Sequence, residues 1–179
     1  MKATAMKTLA TNNPEPGNPA RRRVLVVCTG NSARSIMAEA LFQALGEGTV
    51  NVASAGSAPT GRVHPLALEQ ISRLPVDPSR YSSKSLTAVL EAAEAPFDLV
   101  ITVCDHAAGN CGALPGEPAR LHWGLPDPAA HQEVQEARRA FSACFDELSQ
   151  RISGLLDAGI DQDWGAGAAG HCRASKSQL

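Results

Sequence analysis

Aromatic residues are scarce in this chain: of 179 residues only four are Phe, two Trp and one Tyr. No run approaches the roughly 18 consecutive apolar residues that a membrane-spanning helix needs, and the first residues lack the apolar core of a secretory signal. Charge of one sign is missing too. Sixteen Lys and Arg against eighteen Asp and Glu leave a formal net charge of −2. With no concentrated basic face, nucleic acid is excluded as the main partner, and Arg21-Arg22-Arg23 reads as the solvated flank of a strand. The length suits one well-buried domain and not two. Five cysteines form an odd set, which indicates free thiols in a reducing cytoplasm rather than a disulfide framework.

What is present is organised around Val24-Leu-Val-Val-Cys28-Thr-Gly-Asn-Ser-Ala-Arg34-Ser35. The apolar, largely β-branched run before Cys28 predicts a strand over about 23–28, buried on both faces of a parallel sheet. Met37, Ala40, Leu41, Ala44 and Leu45 have helical spacing and predict a helix over about 35–46. The loop between them therefore joins a strand's carboxyl end to a helix's amino end, where free N–H groups and the helix dipole attract an anion. Its members Thr29, Gly30, Asn31, Ser32, Ala33, Arg34 and Ser35 are the candidate oxyanion-binding residues. A thiol at the mouth of such a cradle is an expected nucleophile. Arg34 offers a planar fork for two oxygens of a tetrahedral anion, and Ser35 a hydroxyl for the sulfur. The competing reading makes Cys28 a small buried residue ending a strand. A nucleotide-binding loop is excluded, since its Gly-Lys-Ser/Thr ending is absent.

Along the rest of the chain, residues 1–20 and 159–179 read as a disordered leader and tail around a domain at 21–158. Further strands are predicted at Thr49–Ser54, Phe97–Val103 and Arg120–Trp123, and helices at 65–74, 86–94 and from Val134 to Leu155. Residues 105–119 hold three glycines and two prolines and read as loop. The alternation implies an α/β three-layer sandwich with a four-stranded parallel sheet. Sites in such sheets gather at the strands' carboxyl ends. Cys28 and Cys104 both fall there, and Asp127 lies in the turn after the fourth strand.

Cys28-Thr-Gly-Asn-Ser-Ala-Arg34-Ser35, followed by Met37-Ala-Glu-Ala, resembles the active-site loop of the low-molecular-weight tyrosine phosphatase fold. That fold houses phosphotyrosine phosphatases and thiol-linked arsenate reductases. Cys104-Asp-His-Ala-Ala-Gly-Asn-Cys111, His122-Trp123-Gly124 and Asp127-Pro128 resemble the reductases. The resemblance spans about 22–158. It implies catalytic roles for Cys28, Arg34, Cys104, Cys111 and Asp127: a three-cysteine relay reducing arsenate to arsenite, with Asp127 as general acid. It further implies phosphate or sulfate as substrate mimics and no bound metal or organic cofactor. Thioredoxin, or glutaredoxin with glutathione, would be the external reductant, and the cytoplasmic protein would act as a monomer for arsenic detoxification.

Other readings stay open at this point. A tyrosine phosphatase needs Cys28, Arg34 and Asp127 but neither Cys104 nor Cys111, and a non-catalytic oxyanion-binding or thiol-sensing protein needs only the loop. Asp127 before Pro128 suits plain turn chemistry. Cys104, His106, Cys111 and His122 form a conceivable zinc set, although their spacing matches no common pattern. Cys144 falls on the apolar stripe of the last helix and Cys172 in the tail. Some relatives bind potassium through residues matching Asn31, Glu39 and Ser54 plus a later acid; here Lys84 stands in that acid's place, and its ammonium is expected to fill the cation's position.

Overall fold

A computed structural model describes residues 21–46, 48–110 and 113–159, with the side chains at 109 and 110 excepted. The expected leader, nearly all of the expected tail, Cys111 and Cys172 lie outside the described residues. Four strands, β1 (Arg22–Cys28), β2 (Val50–Gly56), β3 (Leu99–Thr102) and β4 (Ala119–His122), pair in the order β2-β1-β3-β4, all parallel. The α/β sandwich read from the sequence is therefore present. Val24 to Val27 are at most 1% exposed, as a central strand covered on both faces requires.

Helix α1 (Arg34–Leu45) returns from β1, and α2 (Pro65–Ile71) follows β2. Both pack against each other and against the long closing helix α5 (Val134–Asp157), whose Phe141, Cys144, Phe145, Leu148 and Ile152 are buried. On the sheet's other face α3 (Leu86–Glu91) meets β2, and α4 (Asp105–Asn110) meets β1 and β3.

Helix α4 corrects the expectation of loop over 105–119. Asp105 opens the helix, where a negative charge is favoured, and Ala107 and Ala108 both donate to the Cys104 carbonyl. Of the signals that suggested loop, Gly109 lies inside the helix, while Pro115, Gly116 and Pro118 follow it. The arginine run also differs from a solvated flank: β1 starts at Arg22, which reaches Asp98 at 3.6 Å, and the Arg23 guanidinium lies over the Phe97 ring.

Candidate active site

Four carbonyls of the loop are turned outward. Ser57, Ala58, Thr60 and His64, all after β2, donate their N–H groups to the carbonyls of Cys28, Thr29, Gly30 and Ser32 at 2.8–3.1 Å. With the carbonyls committed to that side, the loop presents its amides to the other, the arrangement an anion needs. Helix α1 adds its amino end: Ala33 stands at the N-cap and supplies no side-chain hydrogen bond. Gly56 permits the close approach of β2, since a Cβ there would lie 2.6 Å from the Thr29 carbonyl oxygen. The Cys28 sulfur, 3% exposed, accepts from Asn31 N–H at 3.1 Å and lies 2.9 Å from Ser35 Oγ. Ser35 Oγ accepts from Asn31 Nδ2, which leaves its own hydrogen free to point at the sulfur.

Asn31 holds this loop in shape. Its φ of +43° is in the left-handed region that Asn tolerates better than most residues. Fully buried, it donates from Nδ2 to Ser35 Oγ and Ser54 Oγ, each at 2.9 Å, and accepts from Lys84 N–H at 2.7 Å. Ser54 in turn donates to Glu39 Oε2 at 2.5 Å, and Lys84 Nζ lies 3.2 Å from the same oxygen. The Lys84 ammonium thus stands against Glu39, as the sequence suggested. Lys84→Met is expected to cost about 2–4 kcal/mol, because the nearly buried Glu39 carboxylate loses its counter-charge, with some relief from solvent reaching Lys84. Denaturant melts check this, and adding Glu39→Gln should restore most of the loss.

Arg34 is oriented by a carbonyl: its Nη1 donates to Leu125 O at 2.8 Å, and its Nη2 lies 3.4 Å from Asp127 Oδ2. Asp127 is half exposed at the mouth, and its Oδ1 accepts from Ala129 N–H to cap the short 3-10 turn Pro128–Ala130. The turn chemistry and the site therefore use different oxygens of one carboxylate.

His64 caps α2 through Nδ1, which accepts from Leu66 N–H at 3.2 Å, and its ring stacks on Phe141 with centroids 4.6 Å apart. Burial lowers its pKa below the usual 6.5, Asp127 opposing this and Arg62 adding to it. A protonated ring would lose the cap, so the unfolded chain takes the proton first. Stability is then full above about pH 6.5 and falls as pH drops toward the lowered folded value. Thermal melts at pH 7.5 and 5.5 are expected to show this loss in the wild type and a smaller one in His64→Asn, which keeps a capping side chain.

Cys104 lies two residues past the end of β3, the strand that pairs with β1. It is 6% exposed, and its sulfur lies 3.4 Å from Thr29 Oγ1, so the second thiol packs against the anion loop itself. The residue after it is anchored: Asp105 Oδ1 meets His122 Nε2 at 3.0 Å, and His122 Nδ1 meets Thr102 Oγ1 at 2.8 Å. Gly124 leaves room for that contact, since a Cβ there would lie 2.9 Å from Asp105 Oδ1. Both His122 nitrogens are thus engaged, which leaves it ill-suited as a zinc ligand. Among the described residues, no group of three or more His, Cys, Asp or Glu side chains could hold a metal ion. Trp123 packs against the core, its carbonyl accepting from Arg151 Nη1. Cys144 is a core residue whose thiol burial pushes up to about 12. Sequence reasoning did not find the Leu125 carbonyl or the Thr102–His122–Asp105 chain. A backbone acceptor leaves no residue-type signal, whereas Asp directly after Cys104 at a helix start was a usable one.

A cysteine sulfur inside an amide cradle, with an arginine and a carboxylate at its mouth, is the arrangement by which thiol enzymes act on tetrahedral oxyanions. The chain belongs to the low molecular weight phosphotyrosine protein phosphatase family, whose model matches residues 23–164. It is 35% identical over 141 residues to an arsenate reductase of Halalkalibacterium halodurans, a match covering 78% of this chain and 98% of that protein. Among solved structures, a thioredoxin-dependent arsenate reductase of Corynebacterium glutamicum is 33% identical with a TM-score of 0.56, covering 76% of this chain and 61% of that one. A tyrosine phosphatase of Erwinia amylovora shares the fold, with a TM-score of 0.60 at 19% identity over 82% of this chain and 98% of that one. Among the described residues, no helix is long and apolar enough to cross a membrane.

Proposed function

We propose that the protein reduces arsenate to arsenite by a relay through Cys28, Cys104 and Cys111, and that a thioredoxin-type reductant restores the thiols. Arsenate sits in the loop 29–35 with Arg34 across two oxygens. The Cys28 sulfur forms a bond to arsenic while Asp127 gives a proton to the departing oxygen, which leaves as water. Cys104 then attacks the Cys28 sulfur. The sulfur–arsenic bond breaks with its electron pair on arsenic, so As(V) becomes arsenite and two thiols become the Cys28–Cys104 disulfide. Cys111 attacks Cys104, frees Cys28 and carries the disulfide to Cys104–Cys111. No step requires a bound cofactor, and one chain supplies every group.

The observation that carries this reading is Cys104 Sγ packed against Thr29 of the anion loop. A phosphatase has no use for a second thiol there. The phosphatase reading is kept by Cys28, Arg34 and Asp127, which alone suffice to cleave an aryl phosphate.

Arsenate-dependent NADPH oxidation, run with thioredoxin and its reductase beside a glutaredoxin–glutathione system, tests the proposal. Turnover with thioredoxin is expected. Aryl phosphate hydrolysis with no arsenate turnover in either system would leave the phosphatase reading. Arsenate turnover with glutaredoxin alone would keep the reductase and change its partner.

A further inference from the structure

A cavity of about 340 Å³ opens between the β1–β2 pair and α3, on the face of the sheet away from α1. Arg23, Asn51, Lys84, Val89, Ala92 and Phe97 are among its walls. Register places Arg23 beside Asn51, so their side chains share that face. The Arg23 guanidinium carbon lies 5.4 Å from the Phe97 ring centroid, and its buried Nε has no hydrogen-bond partner. Among the described residues Arg23 forms no ion pair, and no acidic side chain lines the cavity. Glu39 meets the Lys84 ammonium at 3.2 Å.

We propose that this cavity binds a small organic anion, a carboxylate carrying an apolar group, and that its occupancy reports to the anion loop through Lys84. Lys84 is already paired with Glu39, so the negative charge is selected by the Arg23 guanidinium and the Asn51 amide, with no acid among the walls. The alanines, Val89 and Phe97 offer nothing to the outer oxygens of a hydrated inorganic anion but suit an aromatic or short aliphatic body. Arg23 already rests on an aromatic face, which leaves its fork available to a carboxylate. The coupling runs through direct contacts. Lys84 joins the cavity wall to Glu39 through its ammonium and to Asn31 through its N–H. Asn31 bonds the Cys28 sulfur and Ser35. A carboxylate that draws the ammonium from Glu39 leaves that carboxylate less compensated, and Cys28 becomes less reactive.

Benzoate is the probe and full-length protein the sample. In an amide chemical-shift titration with inorganic phosphate saturating the anion loop, benzoate is expected to shift Asn51 to Ala53 and the α3 amides, while neutral benzyl alcohol does not. Arg23→Gln and Ala92→Trp, the second filling the cavity from the exposed C-cap of α3, are each expected to weaken binding about tenfold or more. With phosphate left out, benzoate is expected to slow carboxamidomethylation of Cys28 about threefold in the wild type and not in Arg23→Gln. Shifts confined to residues 29–35, affinity unchanged in both variants, or equal slowing in Arg23→Gln would each overturn the proposal. None of these outcomes depends on whether the loop reduces arsenate.

Discussion

Cys104→Ser is expected to release no arsenite, and Cys111→Ser about one arsenite per chain and then stop. The measurement is arsenite counted after reduced protein meets excess arsenate, with and without thioredoxin and its reductase. The wild type is expected to stop near one equivalent alone and to turn over when the reductant is supplied. The difference follows from where each sulfur sits. Without Cys104 nothing attacks the Cys28–arsenic adduct. Without Cys111 the chain is expected to halt at a Cys28–Cys104 disulfide between two residues that are 3% and 6% exposed, too buried for a protein-sized reductant to reach. Both variants should keep any weak aryl phosphate hydrolysis, because Cys28, Arg34 and Asp127 are untouched. Sustained arsenate turnover in either variant would remove the relay.

Much of this site was legible because it depends on local sequence. A buried strand ending in Cys28, a loop with Gly30 and Asn31, and a helix opening at Arg34 are all short-range patterns, and the structure repeats them within a residue or two. The end of β3 delivered Cys104 in the same way. What stayed hidden depends on contacts between distant segments. Helix α4 has six residues, under two turns, too few for a hydrophobic period to emerge. It is held by Asp105 meeting His122 from β4. The outward-turned loop carbonyls are satisfied by N–H groups of residues 57–64, and a backbone donor carries no residue-type signal. Lys84 came to notice through the family pattern alone, because a lysine in a serine-rich connection carries no signal of a buried glutamate 45 positions earlier.

Asp127→Asn is expected to lower kcat for arsenate about 10²–10⁴-fold, the usual contribution of a positioned general acid, with KM little changed. Asn suits the test because the carboxylate does two jobs with two oxygens. Oδ1 caps the Pro128–Ala130 turn through Ala129 N–H, a contact that an amide oxygen reproduces. Oδ2 faces the Arg34 guanidinium at 3.4 Å and is the oxygen left for the proton in the proposed mechanism. Asp127→Ala would also remove the cap, at about 1 kcal/mol, and confuse the two effects. Arg34 keeps its orientation in either variant, because Leu125 O holds Nη1. Leu125 and Asp127 lie two residues apart in the segment after β4, so that segment holds both the arginine and the acid against the loop. Aryl phosphates of graded leaving-group strength separate acid catalysis from a general loss of shape. If Asp127 protonates the departing oxygen, the variant should lose most with poor leaving groups and least with nitrophenolate. A uniform loss across the series would make Asp127 a positioning residue that acts through Arg34.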